Sequence, residues 1–330
     1  MRFRWIAAFA ATVATALVAT ACGDDSADSA SSEGDHTESS YYLSLGDSLT
    51  VGVQPDDNGT PQETGDGYTD VLHRTLYDSD STLQHERMGC GGEDTTTFLE
   101  GGIPQCESKY ERRTQMEAAE NFLIENEGRV DLVTLTIGGN NFTHCVDVDD
   151  IDLEGDDDLT LDVECVDEGL ELIETEVPAI AERLREAAGP DVQIIGMTYY
   201  NPFLAALLLE DEDELADEVT DDETPEGSGE VEGDLPEGQS LVEYTTEVLQ
   251  EMNQTLRDTY GASGIDVADV EDLFDSDDFE VPADSDTGMP TNLQAICDLT
   301  WMCDTDVGPD IHTNQAGAQE IAALFEERVR

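Results

Sequence analysis

Apolar residues recur along this chain in two alternating rhythms. Five short runs, at 41–45, 83–88, 130–137, 192–199 and 264–270, mix β-branched and aromatic residues and mostly end in turn signals, as buried strands do. Between and after them lie stretches of helical period: 67–77, 112–126, 168–188, 241–260 and 314–330. In the fourth, Leu241, Tyr244, Val248, Leu249, Met252 and Leu256 would share one face. Pro178 interrupts the third, and the spacing predicts a kink or a split there. Strands that alternate with helices predict an α/β chain: one three-layer α/β/α domain around a mostly parallel five-stranded sheet with right-handed crossovers. No internal repeat is visible, and the extra length falls in two acidic insertions, at 146–164 and 209–239.

The first 40 residues have a different pattern. Arg2 and Arg4 precede an apolar, Ala-rich stretch at 5–21 that is short for a membrane span and fits an export signal. Ala19-Thr20-Ala21 fits a signal-peptidase site and Cys22 follows at once, which resembles a bacterial lipoprotein signal with Cys22 as the lipidated first residue. Residues 22–40 are Ser, Asp, Glu and Gly with little that could be buried, and read as a flexible tether. The folded domain is expected over 41–330. Setting Cys22 aside leaves six of seven cysteines, an even set suited to an oxidising compartment. An extracellular or cell-surface protein, attached to membrane only through Cys22, is the expectation.

Composition narrows the partners. The net charge is −66, with 79 acidic residues against 13 basic ones, of which Lys109 is the single lysine. Such a field repels nucleic acid and anionic membrane surfaces and excludes both as partners. Dispersed acidity with almost no lysine also resembles proteins adapted to high salt, where screening relieves self-repulsion.

The candidate chemistry begins after the first strand. Gly46-Asp47-Ser48-Leu49 puts a serine at the carboxyl end of a buried strand, where open α/β sheets bind ligands. Serine needs a base to become a nucleophile. Of the five histidines, His36 lies in the tether, His73 in a helical pattern, His85 in a strand and His144 after a turn. His312 stands in a loop just before the last helix and is best placed to reach across the sheet edge. Oxyanion donors are available at the same edge: Asn140 in Gly138-Gly139-Asn140-Asn141, a backbone N–H in Gly89-Cys90-Gly91-Gly92, and the N–H of Ser48.

Four blocks in this order resemble the SGNH, or GDSL, hydrolase family, and are most like its secreted actinobacterial esterases and lipases. The resemblance runs from Tyr41 almost to the C-terminus. It implies the flavodoxin-like fold of that family, Ser48 as nucleophile, Gly92 and Asn140 as oxyanion donors, His312 as base, and no cofactor or metal. The implied activity is hydrolysis of small-molecule carboxylic esters by a monomer. Two positions depart from the family pattern. Pro309 stands where an aspartate often precedes the histidine by three, so the group orienting His312 is the Pro309 carbonyl, Asp310 or Asp306. Asn141 stands where the asparagine block usually ends in aspartate.

Proximity pairs the six cysteines as Cys90–Cys106, Cys145–Cys165 and Cys297–Cys303, and the resemblance to secreted esterases with bridged loops supports it. No CxxC pair suggests zinc. Asp150, Asp152, Glu154, Gly155, Asp156 and Asp158 imitate the start of a calcium loop, but Leu161 occupies the position of the bidentate glutamate. Residues 201–209 read as a buried strand exit and helix, or as the lining or lid of an acyl site. Three readings of the site remain distinct: an esterase or lipase, a carbohydrate deacetylase or phospholipase using the same residues, and a catalytically silent binding lipoprotein.

Overall fold

The computed structural model describes residues 39–111, 113–146, 160–209, 229–283, 285 and 287–330. The export signal, most of the tether and the calcium-like residues 150–158 lie outside the described residues, as do the middles of both acidic insertions. All the described structure belongs to one unit, Glu38–Arg330.

The five main strands are β1 (Tyr41–Gly46), β4 (Gln84–Arg87), β5 (Val130–Thr136), β7 (Gln193–Met197) and β9 (Asp266–Ala268). They pair in the order β4-β1-β5-β7-β9, every pair parallel. Taken in chain order this is 2-1-3-4-5, the flavodoxin-like arrangement. Its direction reverses between β1 and β5, so the loops leaving those two strands flank an open crevice at their carboxyl ends.

Ten described helices accompany the strands: α1 (Tyr68–Ser79), α2 (Thr95–Glu100), α3 (Pro104–Lys109), α4 (Gln115–Glu125), α5 (Val163–Ala188), α6 (Leu204–Leu209), α7 (Leu241–Ala262), α8 (Val270–Leu273), α9 (Thr291–Leu299) and α10 (Gln315–Glu326). Tyr68 on α1 bonds to Thr136 on one face of β5 and stacks on Phe325 of α10, so α1 and α10 cover that face. Tyr260 on α7 packs against Gly196, which registers with Leu135 on the opposite face of β5. There α4, α5 and α7 lie side by side. These are the three layers expected.

Two features differ from the sequence expectation. Helix α5 runs through Pro178 without splitting. Pro178 is exposed, as is Glu174, whose carbonyl loses its partner and is free to meet water. The apolar stripe of Val166, Ile173, Val177, Ile180 and Leu184 meanwhile stays buried and keeps the helix continuous through the defect. The same helix begins at Val163, five residues before the periodicity, because the Asp162 side chain caps it by accepting the Cys165 N–H at 3.2 Å. Each insertion also yields a short strand: β6 (Thr160–Asp162) in the first pairs with β8 (Glu230–Glu232) in the second, and β2 (Val53–Pro55) pairs with β3 (Pro61–Glu63) elsewhere. Three-residue strands leave no periodicity to read.

All three disulfides form with the pairing expected from proximity: Cys90–Cys106, Cys145–Cys165 and Cys297–Cys303.

Candidate active site

The turn after β1 is built to present Ser48. Gly46 has φ +127°, and a Cβ there would stand 1.9 Å from the Thr136 carbonyl oxygen, so only glycine lets β1 approach β5 this closely. Gln115, at the start of α4, grips Gly46 from both sides: its Oε1 accepts the Gly46 N–H at 2.6 Å and its Nε2 donates to the Gly46 carbonyl at 3.0 Å. Asp47 N–H donates to Thr136 O at 3.0 Å, and the Asp47 carboxylate accepts the Leu49 N–H at 3.0 Å. Asp47 is itself held by the Tyr199 hydroxyl, which donates to its Oδ2 at 2.6 Å. Burial pushes the Asp47 carboxyl up to about 6, against the pull of the Tyr199 and Leu49 hydrogen bonds and the charge of His312.

Asn140 arrives from β5 in a single 3-10 turn, Gly139–Asn141. Gly139 fits because a Cβ there would meet the Tyr199 ring at 2.7 Å. One amide N–H of Asn140 donates to the Glu93 carbonyl at 3.0 Å, which orients the group and leaves its second N–H available. Burial pushes the Glu93 carboxyl up to about 7. The neighbouring Asn141 explains its departure from the family pattern. Its Nδ2 donates to Thr95 Oγ1 at 2.7 Å while its Oδ1 accepts the Thr95 N–H at 3.2 Å. The Thr95 hydroxyl proton is already committed to Glu176 at 2.5 Å, so this partner must bring a donor as well as an acceptor. An amide does both. A carboxylate cannot.

His312 lies between the bridged loop of Cys297–Cys303 and α10. Its Nδ1 donates to Asp310 Oδ1 at 2.6 Å, and its backbone N–H donates to the same oxygen at 2.9 Å. Of the three orienting groups open from sequence, Asp310 is the one that bonds the ring; Asp306 and Pro309 are exposed. An aspartate two residues back points away only in an extended segment, and here the chain turns so that one carboxylate oxygen meets both the ring and the backbone N–H. Burial raises the Asp310 carboxyl, but the hydrogen bond and charge of the His312 ring and the backbone bond more than reverse this, leaving it below the ordinary value. The Tyr200 hydroxyl donates to the Ile311 carbonyl at 2.8 Å and ties this loop to the exit of β7.

Ser48, Asn140 and His312 meet on the wall of one cavity of about 970 Å³, its open mouth included. No hydrogen bond joins Ser48 Oγ to His312 among the described residues. Such bonds commonly tighten only around substrate. Gly92 is not on the cavity wall but in the exposed turn beside it, at φ +85°, next to Gly91, whose added Cβ would lie 3.9 Å from Ser48 Cβ. The N–H groups of Ser48 and Gly92 make no hydrogen bond among the described residues. Tyr199 and Gln115 support the site but escaped sequence reasoning, because neither lies in a recognisable motif.

A second Ser-His-Asp grouping is a decoy. Ser44 Oγ and His85 Nε2 are 2.9 Å apart, and His85 Nδ1 lies 3.9 Å from Asp70. Ser44 is fully buried and His85 is stacked between Tyr42 and His73, so no ester could reach them. The grouping of potential metal ligands among the described residues is His144, Cys145 and Cys165, and its two sulfurs are joined to each other and offer no thiolate.

A family model for the GDSL-like lipase/acylhydrolase family matches residues 44–320. The chain belongs to that family. It is a carboxylic-ester hydrolase. No curated protein matches it. Among solved structures it is similar in fold to an extracellular lipase from Streptomyces rimosus, at 17% identity and TM-score 0.47, covering 88% of this chain and 99% of that one. Phospholipase A1 from Streptomyces albidoflavus NA297 matches at 14% identity and TM-score 0.44, over 88% and 99%. A carbohydrate acetylesterase from Sinorhizobium meliloti matches at 11% and 0.41, over 88% and 98%. In this GDSL-like hydrolase the glycine, serine and asparagine blocks follow β4, β1 and β5, neighbours in one sheet on either side of its switch point.

No described helix is long and apolar enough to cross a membrane.

Proposed function

We infer that this GDSL-like hydrolase is an exported serine esterase working through an acyl-enzyme. His312 Nε2 takes the Ser48 proton as Ser48 Oγ bonds to the ester carbonyl carbon. The oxyanion that forms is met by the free Asn140 amide N–H and by the Ser48 and Gly92 N–H groups. Collapse breaks the carbon–oxygen bond to the alcohol, which leaves with the proton from His312. Water then attacks the acyl carbon, giving its proton to His312, and the carboxylic acid departs as Ser48 regains its proton. Asp310 keeps the imidazole in the tautomer with Nδ1–H, so Nε2 is the free base.

The observation that carries this reading is the sharing of one cavity wall by Ser48, Asn140 and His312, with the His312 ring held at 2.6 Å by a buried carboxylate. A silent binding lipoprotein would have no need of that carboxylate. Export is supported by the signal-like first 21 residues and three disulfides, and Cys22 would carry the lipid. Hydrolysis of p-nitrophenyl esters by wild type and Ser48→Ala in molar salt tests the chemistry. Wild type turns over and Ser48→Ala loses at least about 10³-fold. Equal rates in the two would remove Ser48 from the mechanism, and an inert wild type would favour the binding lipoprotein.

A further inference from the structure

The turn that carries Gly92 has few side chains to hold it. Of residues 89–93, three are glycine, so only Cys90 and Glu93 can anchor it through side chains. Cys90 is tied by its bridge to Cys106, and its N–H donates to Gly46 O at 2.9 Å. Glu93 is the other anchor. It directly follows Gly92, its carbonyl holds the Asn140 amide at 3.0 Å, and the residue is only 2% exposed. One residue thus joins Gly92, through a peptide bond, to Asn140, through a hydrogen bond.

The carboxyl of this anchor faces no cation. No ion pair among the described residues includes it, and its Oε2 is buried without a hydrogen-bond partner. The charged and titratable groups around it are Asp94 at the start of α2, Asp47 in the turn after β1, and Tyr110 after α3. Tyr110 is committed to Met88 O at 2.6 Å. Thr97 of α2 and Gln115 of α4 support the carboxyl through side-chain hydrogen bonds, and Gln115 is the residue that grips Gly46. Burial, with the charges of Asp94 and Asp47, pushes the carboxyl up to about 7 against those two bonds. A neutral carboxyl can stay in such a place. A carboxylate is driven toward water, and that movement pulls on the Gly92–Glu93 peptide and on the Asn140 amide.

Resting on the Ser48 reading, we propose that Glu93 is a positioning residue for the oxyanion donors: its neutral carboxyl anchors the turn that carries the Gly92 N–H and steadies the Asn140 amide, and its ionisation lets both donors drift. Those donors meet charge that develops in the transition state, so the loss on ionisation falls on kcat and not on KM.

The test is the pH profile of kcat for one p-nitrophenyl ester in wild type and Glu93→Gln, from about pH 5.5 to 8.5 at fixed molar salt. Glutamine keeps the shape and cannot ionise. Other ionisations of the site belong to both enzymes, so the ratio of kcat in Glu93→Gln to that in wild type removes their common part. That ratio rises at least about fivefold across the range while the ratio of KM values stays within about twofold. The midpoint of the rise falls near pH 7. Glu93→Met, which cannot ionise either, gives the same rise and keeps the test alive should the glutamine variant misfold. A merely structural role would change kcat by a factor independent of pH. A ratio that is flat with pH in a folded variant, or a rise carried by KM, overturns the proposal. Ser48→Ala assayed alongside keeps the two readings apart: a flat ratio in an enzyme that Ser48→Ala inactivates removes the role of Glu93 alone.

Discussion

At the scale of single residues, the site depends on two side chains whose roles come from where their protons already are. Asp310 accepts both the ring and the backbone N–H of His312 through one oxygen. Replacing it with asparagine keeps the shape but offers the ring an amide that can stabilise the wrong tautomer. Asp310→Asn is expected to lower kcat by about 10³-fold or more with little change in KM, while Asp306→Asn stays near wild type. Steady-state kinetics on one p-nitrophenyl ester decides it, and comparable losses in the two variants would point to a different orienting group. Asn141 is the second case. Asn141→Asp would face the Thr95 hydroxyl oxygen with a carboxylate while the hydroxyl proton serves Glu176. A buried polar group left without its hydrogen bond costs about 1–3 kcal/mol. Denaturant unfolding of Asn141→Asp should show that loss, and a midpoint equal to wild type would mean that Thr95 simply turns its proton around.

Elements set the candidate site because each of its blocks leaves the end of a different one. Strand β1 delivers Ser48, β5 delivers Asn140, and α10 with the bridged loop before it delivers His312. Their mutual register is kept by the core rather than by the loops: Gln115 of α4 clamps Gly46, and Tyr199 beyond β7 reaches Asp47. The pairing of β1 with β4 brings a liability of its own. On β4, burial, with the charges of His73 and Arg87, pushes His85 down to about 3 from an ordinary 6.5. Between those pH values the unfolded chain binds a proton that the folded one does not, so acid favours unfolding. This contribution is intact above about pH 6.5 and is lost as pH falls toward 3. Asp47, raised from 3.8 to about 6, and Glu93, raised from 4.5 to about 7, act in the opposite sense, costing stability as pH rises through those ranges. Comparing wild type with His85→Phe isolates the histidine. The stability difference should be level from pH 7 to 8 and fall against wild type below 6.5, with a slope approaching about 1.4 kcal/mol per pH unit. A difference that stays level down to pH 4 would show that His85 titrates normally.

For the whole molecule the dominant quantity is charge. With −66 on 330 residues, the folded state crowds carboxylates that the unfolded chain can separate. Screening shortens the range of that repulsion from about 10 Å at 0.1 M salt to about 3 Å at 1 M. The melting temperature is expected to rise by about 5 °C or more between 0.1 and 2 M NaCl, read by circular dichroism. A melting temperature independent of salt would mean that the carboxylates are already spread far enough apart in the fold.

The legible part of this protein was whatever is encoded locally. The alternation of strands and helices, the three cysteine pairs and the serine, asparagine and histidine blocks could each be read from a few adjacent residues, because period, turn chemistry and short separation act over that range. The parts that could not be read depend on distant neighbours. Pro178 reads as a kink or a split, and of the two the buried stripe on either side of it excludes the split by carrying the helix past. Asp310 reads as one of three orienting groups until the turn of its loop is known. Asn141 reads as an anomaly until Thr95 and Glu176, from two other helices, show that its site requires both a donor and an acceptor. The two insertions read as acidic surface, and only folding brings Val146, Leu161 and Val231 together across almost ninety residues of chain. By itself, then, the sequence determined the sheet, its helices and where the candidate serine, asparagine and histidine fall along the chain, since those follow from local periodicity and backbone preference. Tertiary structure alone decided which carboxylate holds the histidine and what lines the cavity beside the serine, since both depend on side chains that meet only when the chain has packed.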